Sequence, residues 1–177
     1  MKSVSKSLFC LTSLAILAAC STTPSVAVKT DYDHSVTFGK YHTYALDTAS
    51  IGLSPTGKEA LQSSLRSSLA GRGLKEAGKN SDLYIVPTVF AQQKLNAMPG
   101  GGYTFYPSVY GRYRMGTVAL NTEVQQYTEG TLVIDFVDRK THKIVYRGLG
   151  QAAVGSTERN AAAIRVAVEK IVAAYPG

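Results

Sequence analysis

The chain has 177 residues, of which 45% are hydrophobic and 18% charged, a balance typical of a globular protein rather than a disordered one. That length accommodates one ordinary domain but not two. The formal charge is +7 and the basic residues are scattered singly, which favours anionic envelope surfaces and predicts no nucleic-acid partner. Cys10 and Cys20 are the only cysteines, so an internal disulfide or thiolate metal site beyond Cys20 is excluded.

The first nineteen residues have the pattern of an export signal. Lys2 and Lys6 supply a positive start, and Leu8–Ala18 form an apolar stretch of about eleven residues, the length of a signal-peptide core. A stretch this short cannot span the ~30 Å hydrocarbon core of a bilayer as a helix. We therefore predict that residues 1–19 are a signal peptide that is removed and takes no part in the fold.

The segment Leu17-Ala18-Ala19-Cys20 resembles the lipobox of bacterial lipoproteins. The resemblance implies cleavage before Cys20, diacylglycerol on its sulfur and acylation of the new N-terminus, for example by palmitate. Several acyl chains anchor a protein far more firmly than one. Ser21 stands where aspartate would retain such a lipoprotein in the inner membrane, which implies sorting to the outer membrane. The alternative is an ordinary signal peptide that ends in a chance cysteine.

Residues 20–27 are predicted to be a lipidated tether that reaches at most ~28 Å, at ~3.5 Å per residue. Val26–Tyr32 and Tyr41–Leu46 are rich in β-branched and aromatic residues and predict two short strands. Ser54-Pro55 has the form of an N-cap followed by proline at the first helical position. Leu61, Leu65 and Leu69 then recur every four residues and predict an amphipathic helix that ends at Gly71 or Gly73.

The middle of the chain predicts further strands around a long loop. Leu83–Phe90 is an apolar run typical of a buried strand. Met98–Gly116 is rich in Gly, Pro and Tyr and has neither helical nor strand periodicity, so we predict a loop over 98–116. Thr117–Tyr127 alternates like a strand, and Gly130–Gly148 predicts a β-hairpin. Gly130 is expected to mark a bulge at which one long strand bends, rather than a break between two strands.

A last helix is predicted after Ser156 or Thr157, either of which can cap it, with Glu158 near its positive end. Its apolar stripe comprises Ala161, Ile164, Val168, Ile171 and Tyr175. The element order is then ββαβββα or close to it. Two amphipathic helices packed on one face of a mostly antiparallel sheet of five to six strands bury both apolar stripes. Residues 28–177 are therefore predicted to form a single α+β domain.

The run Tyr127–Gly148 (YTEGTLVIDFVDRKTHKIVYRG), followed by a terminal helix, resembles the domain-of-unknown-function-4136 family of bacterial envelope lipoproteins. Val28–Leu46 and Ser81-Asp82-Leu83 extend the likeness to nearly the whole chain after Cys20. This sequence has Tyr146 where many relatives would have tryptophan. The resemblance implies an envelope lipoprotein with an α+β domain. It implies no established reaction, so it brings no catalytic residues.

The polar motifs support no catalytic or metal site. His34, His42 and His142 lie in or beside predicted turns or strand starts, without the spacing of zinc ligands. Asp31 and Asp33 would share a strand face, either as calcium or acid–base groups or, more simply, as a solvated strand end. We predict no enzyme, no cofactor and no metal.

Aromatic and cationic side chains are concentrated in the predicted loop. They are Tyr103, Phe105, Tyr106, Tyr110, Arg112, Tyr113 and Arg114. Exposed rings are unusual in loops, and tyrosine and arginine are enriched in recognition surfaces, where they stack on sugars or bind anions. The loop is therefore either a contact surface or a cover that folds back over the sheet.

The sequence thus predicts a non-catalytic outer-membrane lipoprotein that faces the periplasm and serves as a binding or structural module of the cell envelope. Its partners would be the membrane, through the lipid anchor, and an envelope protein, peptidoglycan or lipopolysaccharide. The alternative is an accessory factor in the assembly or transport of envelope components. An envelope hydrolase is the least supported reading.

Overall fold

The computed structural model describes residues 23–48, 51–78, 80–100 and 121–177. Within these ranges, six strands form one open mixed sheet and two α-helices lie on one of its faces. The elements in chain order are β1 (Ala27–Tyr32), a 3-10 turn (Phe38–Lys40), β2 (Thr43–Leu46), α1 (Pro55–Gly71), β3 (Lys75–Glu76), β4 (Leu83–Gly100), β5 (Asn121–Asp138), β6 (Ile144–Ala153) and α2 (Thr157–Ala173). The predicted α+β class is confirmed. The short strand β3 is an element that the predicted order did not include.

The strands lie side by side in the order β1-β6-β5-β4-β2-β3. Three neighbouring pairs are antiparallel, namely β1 with β6, β6 with β5 and β5 with β4. The pairs β2–β4 and β2–β3 are parallel, because α1 carries the chain back across the sheet before the next strand begins. No helix in the described ranges is long and apolar enough to cross a membrane.

The two long strands correct the predicted boundaries of the loop. β4 continues through Met98 and Pro99 to Gly100, which pairs with Asn121, so the prediction of a loop from residue 98 was wrong for these three residues. Pairing with β5 holds this stretch extended although its own sequence has no strand periodicity. The remainder of the predicted loop lies outside the described residues.

β5 is one continuous strand, which runs through Gly130 without a break, as expected. Gly130 pairs in regular register with Ala91 on one side and Ala152 on the other. The irregularity lies instead near the hairpin turn, where Phe136 pairs with Tyr146 but Val137 pairs with Ile144. The suggested bulge at Gly130 was therefore misplaced.

Both helices begin at the predicted caps. Ser54 Oγ accepts a hydrogen bond from the Gly57 amide at 3.2 Å, with Pro55 at the first helical position. Ser156 Oγ accepts from the Arg159 amide at 3.3 Å. These bonds satisfy amide donors that a helix leaves free at its start.

Alternation on the strands and helical spacing on the helices direct apolar side chains into one core. On β5, Leu132, Ile134 and Phe136 point to the helices and are buried. The predicted apolar stripes of both helices are also buried. The ring of Phe136 stacks on that of Tyr175, with centroids 4.9 Å apart, and meets Tyr146 edge-on at 5.0 Å. These aromatic contacts join the sheet to the C-terminal end of α2.

Two glycines let α2 lie directly on the backbone of β6. A Cβ atom added to Gly148 would stand 2.1 Å from Ile171 Cγ2, and one added to Gly150 would stand 2.8 Å from Ala167 Cβ. Neither distance is compatible with a real side chain unless the helix moves. The close approach of helix and strand therefore requires glycine at both positions.

We expect Gly148→Ala to lower the free energy of unfolding by about 1–3 kcal/mol, the usual cost of overpacking a core, because the new methyl group would overlap Ile171. Gly71→Ala is the control, since a Cβ there meets nothing within 4 Å. Urea unfolding measures both changes. Combined with Ile171→Ala, the Gly148→Ala change should cost less than the two single changes added together. If the double variant loses the full sum of the two single losses in unfolding free energy, the proposed overlap between the new methyl group and Ile171 is contradicted.

Candidate functional site

A two-stranded ribbon projects from the six-stranded sheet. β6 pairs with β5 only as far as Glu129, and β2 pairs with β4 only over 83–85. Among the described strands, residues 93–100 of β4 and 121–128 of β5 therefore pair with each other alone. At ~3.4 Å per residue, this ribbon is roughly 27 Å long. Leu95, 65% exposed, lies on it, and Phe90, 53% exposed, lies at its base.

The ribbon leads to the aromatic and cationic segment identified in the sequence. Gly100 and Asn121 are register partners, so residues 101–120 join two adjacent strand ends. All seven predicted contact residues lie outside the described residues: Tyr103, Phe105, Tyr106, Tyr110, Arg112, Tyr113 and Arg114. Cys20 lies outside them as well. Their roles stay predictions, but the point where the aromatic segment joins the domain is known.

A buried carboxylate organises the opposite end of β5. Asp138 Oδ2 accepts a hydrogen bond from the Tyr41 hydroxyl at 2.7 Å and lies 3.5 Å from Lys40 Nζ. Its Oδ1 accepts from the backbone amides of Lys140 and Thr141. Every oxygen of the carboxylate thus has a partner, which makes the residue a structural link between the β5–β6 turn and the 3-10 turn.

These contacts determine the protonation of the pair. Burial acts to raise the pKa of Asp138, but the bonds from Tyr41 and from the two backbone amides outweigh burial and lower the pKa to about 2. Burial and the neighbouring carboxylate raise the pKa of Tyr41. The pair is therefore charged carboxylate and neutral phenol at neutral pH, which is the arrangement that the hydrogen bond needs.

Asp82 has a similar structural role at the start of β4. Its Oδ2 accepts hydrogen bonds from the amides of His42 and Thr43, both at 3.0 Å, and from Thr43 Oγ1 at 2.8 Å. The bond from the His42 amide is the main reason that the pKa of Asp82 lies below its ordinary value. The carboxylate thus ties β2 to β4 where their parallel pairing begins.

Of the remaining polar candidates from the sequence, Asp31 lies in β1, whereas Asp33 and His142 lie in turns. Asp33 Oδ1 accepts from the Ser35 amide at 2.9 Å and closes the turn after β1, whereas Asp31 Oδ1 accepts from the Tyr32 amide at 3.0 Å. His142, at φ 56°, takes the left-handed conformation of the β5–β6 turn. In the part of the chain that the structure describes, no three His, Cys, Asp or Glu side chains are placed to hold a metal ion.

A polar groove of about 740 Å³ runs between the outer faces of the two helices. On α1 it is lined by Ser63, Ser64, Ser67 and Ser68. Arg165 and Glu169 line it from α2, and Arg72 closes one end by donating to the backbone carbonyls of Val172 and Ala173. Hydroxyl and guanidinium groups are suited to polyols and anions. The serines lie on the polar face of α1, and helical periodicity alone does not reveal that α2 lies alongside them.

The fold and these features define a two-layer α+β domain with a projecting ribbon. Residues 28–177 match the family described as Domain of unknown function (DUF4136). The chain belongs to this family, which confirms the resemblance carried by the β5–β6 hairpin and the terminal helix.

No curated protein matches the chain. Among solved structures, a PDZ domain protein from Parabacteroides distasonis matches 87% of this chain at 14% identity, with a TM-score of 0.51. The chain spans only 36% of the length of that protein. PelC from Paraburkholderia phytofirmans, solved as a dodecamer, matches 83% of this chain and 94% of its own at 10% identity, with a TM-score of 0.45. At 14% identity, the similarity to the PDZ domain protein shows a shared fold and nothing more.

We expect the stability supplied by Asp138 to be present above its unfolded pKa of 3.8 and to be lost as pH falls through about 2, because the folded pKa is the lower one. Asp138→Ala should lower the free energy of unfolding at pH 7 by roughly 2–3 kcal/mol and flatten the acid-dependent loss. Urea titrations at pH 7, 4 and 2.5 measure this, with the exposed Asp31→Ala as control. An unchanged acid-dependent loss in Asp138→Ala would refute the assignment.

Proposed function

We propose that this chain is a lipoprotein of the outer membrane, anchored through Cys20 and facing the periplasm, that acts by binding rather than by catalysis. The observation that carries the proposal is the closeness of the lipobox to the folded domain. The family match begins at residue 28, directly after the predicted tether, and β1 already begins at Ala27, the last residue of that tether. Seven residues from Cys20 to Val26 reach at most about 25 Å, which would hold the domain at the membrane surface.

The ribbon supports a binding role. A two-stranded ribbon is marginal by itself in water, and its outer edges offer backbone groups to a partner. It carries the exposed Leu95, has the exposed Phe90 at its base, and joins the domain to the segment rich in tyrosine and arginine. These residue types suit an envelope protein, peptidoglycan or lipopolysaccharide, in keeping with the positive formal charge.

The anchor is tested by labelling cells with radioactive palmitate and separating their membranes. We expect Cys20→Ser to abolish labelling and to shift the protein out of the outer-membrane fraction, because no other mature residue offers a thiol. Cys10→Ser lies in the predicted signal and should change neither result. Full labelling of the Cys20→Ser protein would overturn the anchor.

The binding role is tested by crosslinking in intact cells, followed by identification of the captured partner. We expect Tyr106→Ala, Tyr110→Ala and Arg112→Ala together to reduce crosslinking at least tenfold, with an unchanged melting temperature. The matched control is Tyr84→Ala with Arg139→Ala, which removes a Tyr–Arg pair near the opposite end of β4. A lower melting temperature with unchanged crosslinking would instead show that the aromatic segment covers the sheet.

A further inference from the structure

An apolar cavity of about 310 Å³ lies between the sheet and the N-terminal ends of the two helices. Strands β4, β5 and β6 form its floor at the levels of Val89, Leu132 and Ala152. Ile164 of α2 and the segment that leads into α1 form its roof. With Val26 at the N-terminal side, the cavity is thus built from six separate stretches of the chain and sits where the ribbon leaves the sheet.

Small residues are frequent in the lining. Gly57, Gly130, Gly150, Ala152, Ala163 and Ala167 all line the cavity. Elsewhere in the same layer, leucine, isoleucine and phenylalanine fill the gap between the helices and the sheet. The cavity is partly open to solvent, since Phe90 and Val154 in its lining are 53% and 45% exposed. An apolar ligand that covers these walls would remove apolar surface from water and would therefore be stabilising.

The chemistry of the lining defines the ligand class. The described lining includes no Asp, Glu, Lys, Arg or His side chain, so nothing in it would neutralise a charged ligand. Thr131 of β5 contributes one hydroxyl group, and the other hydroxyl and amide groups come from Ser54, Thr157 and Asn160, at the two helix starts. Ser54 and Asn160 already bind backbone amides nearby, those of Gly57 and Gly155. The interior therefore suits an aliphatic group with few polar atoms.

The volume matches one aliphatic chain. At ~30 Å³ for each small group, close to the share of one water molecule in the liquid, the cavity holds on the order of ten methylene groups. Its size lies at the lower end of ordinary ligand pockets. A ring system with several polar substituents would leave those polar groups without partners.

The position of the cavity indicates where such a chain would come from. Val26 lines the cavity, is 6% exposed, and has its carbonyl oxygen bound by Lys170 Nζ at 3.1 Å. Only five residues separate Val26 from Cys20 in the sequence. If Cys20 is lipidated, as in the proposed function, the cavity lies within about 21 Å of the anchor and therefore of membrane acyl chains.

We propose that this cavity binds a single acyl chain, supplied either by a membrane lipid or by the protein's own anchor at Cys20. The proximity argument rests on the proposed function, whereas the size and lining of the cavity do not. The two can therefore fail separately, because acyl binding is measurable in a protein that lacks the anchor.

The test uses the full chain with Cys20→Ser, titrated with a fluorescent polyene fatty acid and then with unlabelled palmitate. We expect saturable binding of one probe per chain, displaced by palmitate. Ala163→Leu should weaken binding at least tenfold, because its added carbons enter the cavity, without lowering the melting temperature. Ala162→Leu, the neighbouring residue outside the lining, is the matched control and should bind like the parent chain.

Ala152→Leu, on the opposite wall, should also weaken binding. It is a second variant that tests the proposal if Ala163→Leu does not fold.

The source of the bound acyl chain is determined with the protein that retains Cys20. If its own anchor fills the cavity, that protein will not bind the probe; if membrane lipid does, phospholipid will copurify and native mass spectrometry will detect it. Absence of saturable binding by the Cys20→Ser chain, or equal binding by the Ala163→Leu and Ala162→Leu variants, overturns the proposal.

Discussion

The contact between α2 and the bare backbone of β6 determines how the rest of the domain is assembled. At Gly148 and Gly150 the helix lies so close to the strand that no side chain fits between them. That closeness brings Tyr175, just after the helix, onto the ring of Phe136, and it positions α2 as the surface against which α1 packs. Gly150 also lines the apolar cavity, so the close contact between helix and strand forms part of the cavity wall.

The polar groups with the most strongly shifted pKa values lie away from the features proposed to bind. Asp138 and Tyr41 sit at the turn end of β5, where the carboxylate is fully engaged by hydroxyl, ammonium and amide donors. The ribbon and the cavity lie toward the other end of the same strand. The shifted pKa values therefore reflect burial and structural hydrogen bonding here, although in many enzymes a shifted pKa identifies the active site.

Local sequence signals predicted the elements that depend on local chemistry. The caps at Ser54 and Ser156 and the helix stripes were found because each helix records its own start and its buried face in nearby residues. The hairpin of β5 and β6 was found from alternation, in the same way. Strand β3, the parallel pairing of β2 and the true end of β4 were missed, because a partner strand distant in sequence determines them. The cavity was missed for a related reason: it consists of side chains that are small at positions far apart in the sequence, a pattern that no window along the chain contains.

The direction in which β1 enters the sheet has a mechanical consequence. β1 is an edge strand joined to β6 by six successive residue pairs, and its first residue, Ala27, is the one nearest the N-terminal segment. A pulling force applied through that segment along the strand axis would load all of these backbone hydrogen bonds together, in shear. A force across the axis would break them one after another, beginning beside the bond from Lys170 to Val26. Tension along the strand would thus be resisted collectively, whereas sideways tension would peel the strand away from its first residue onward.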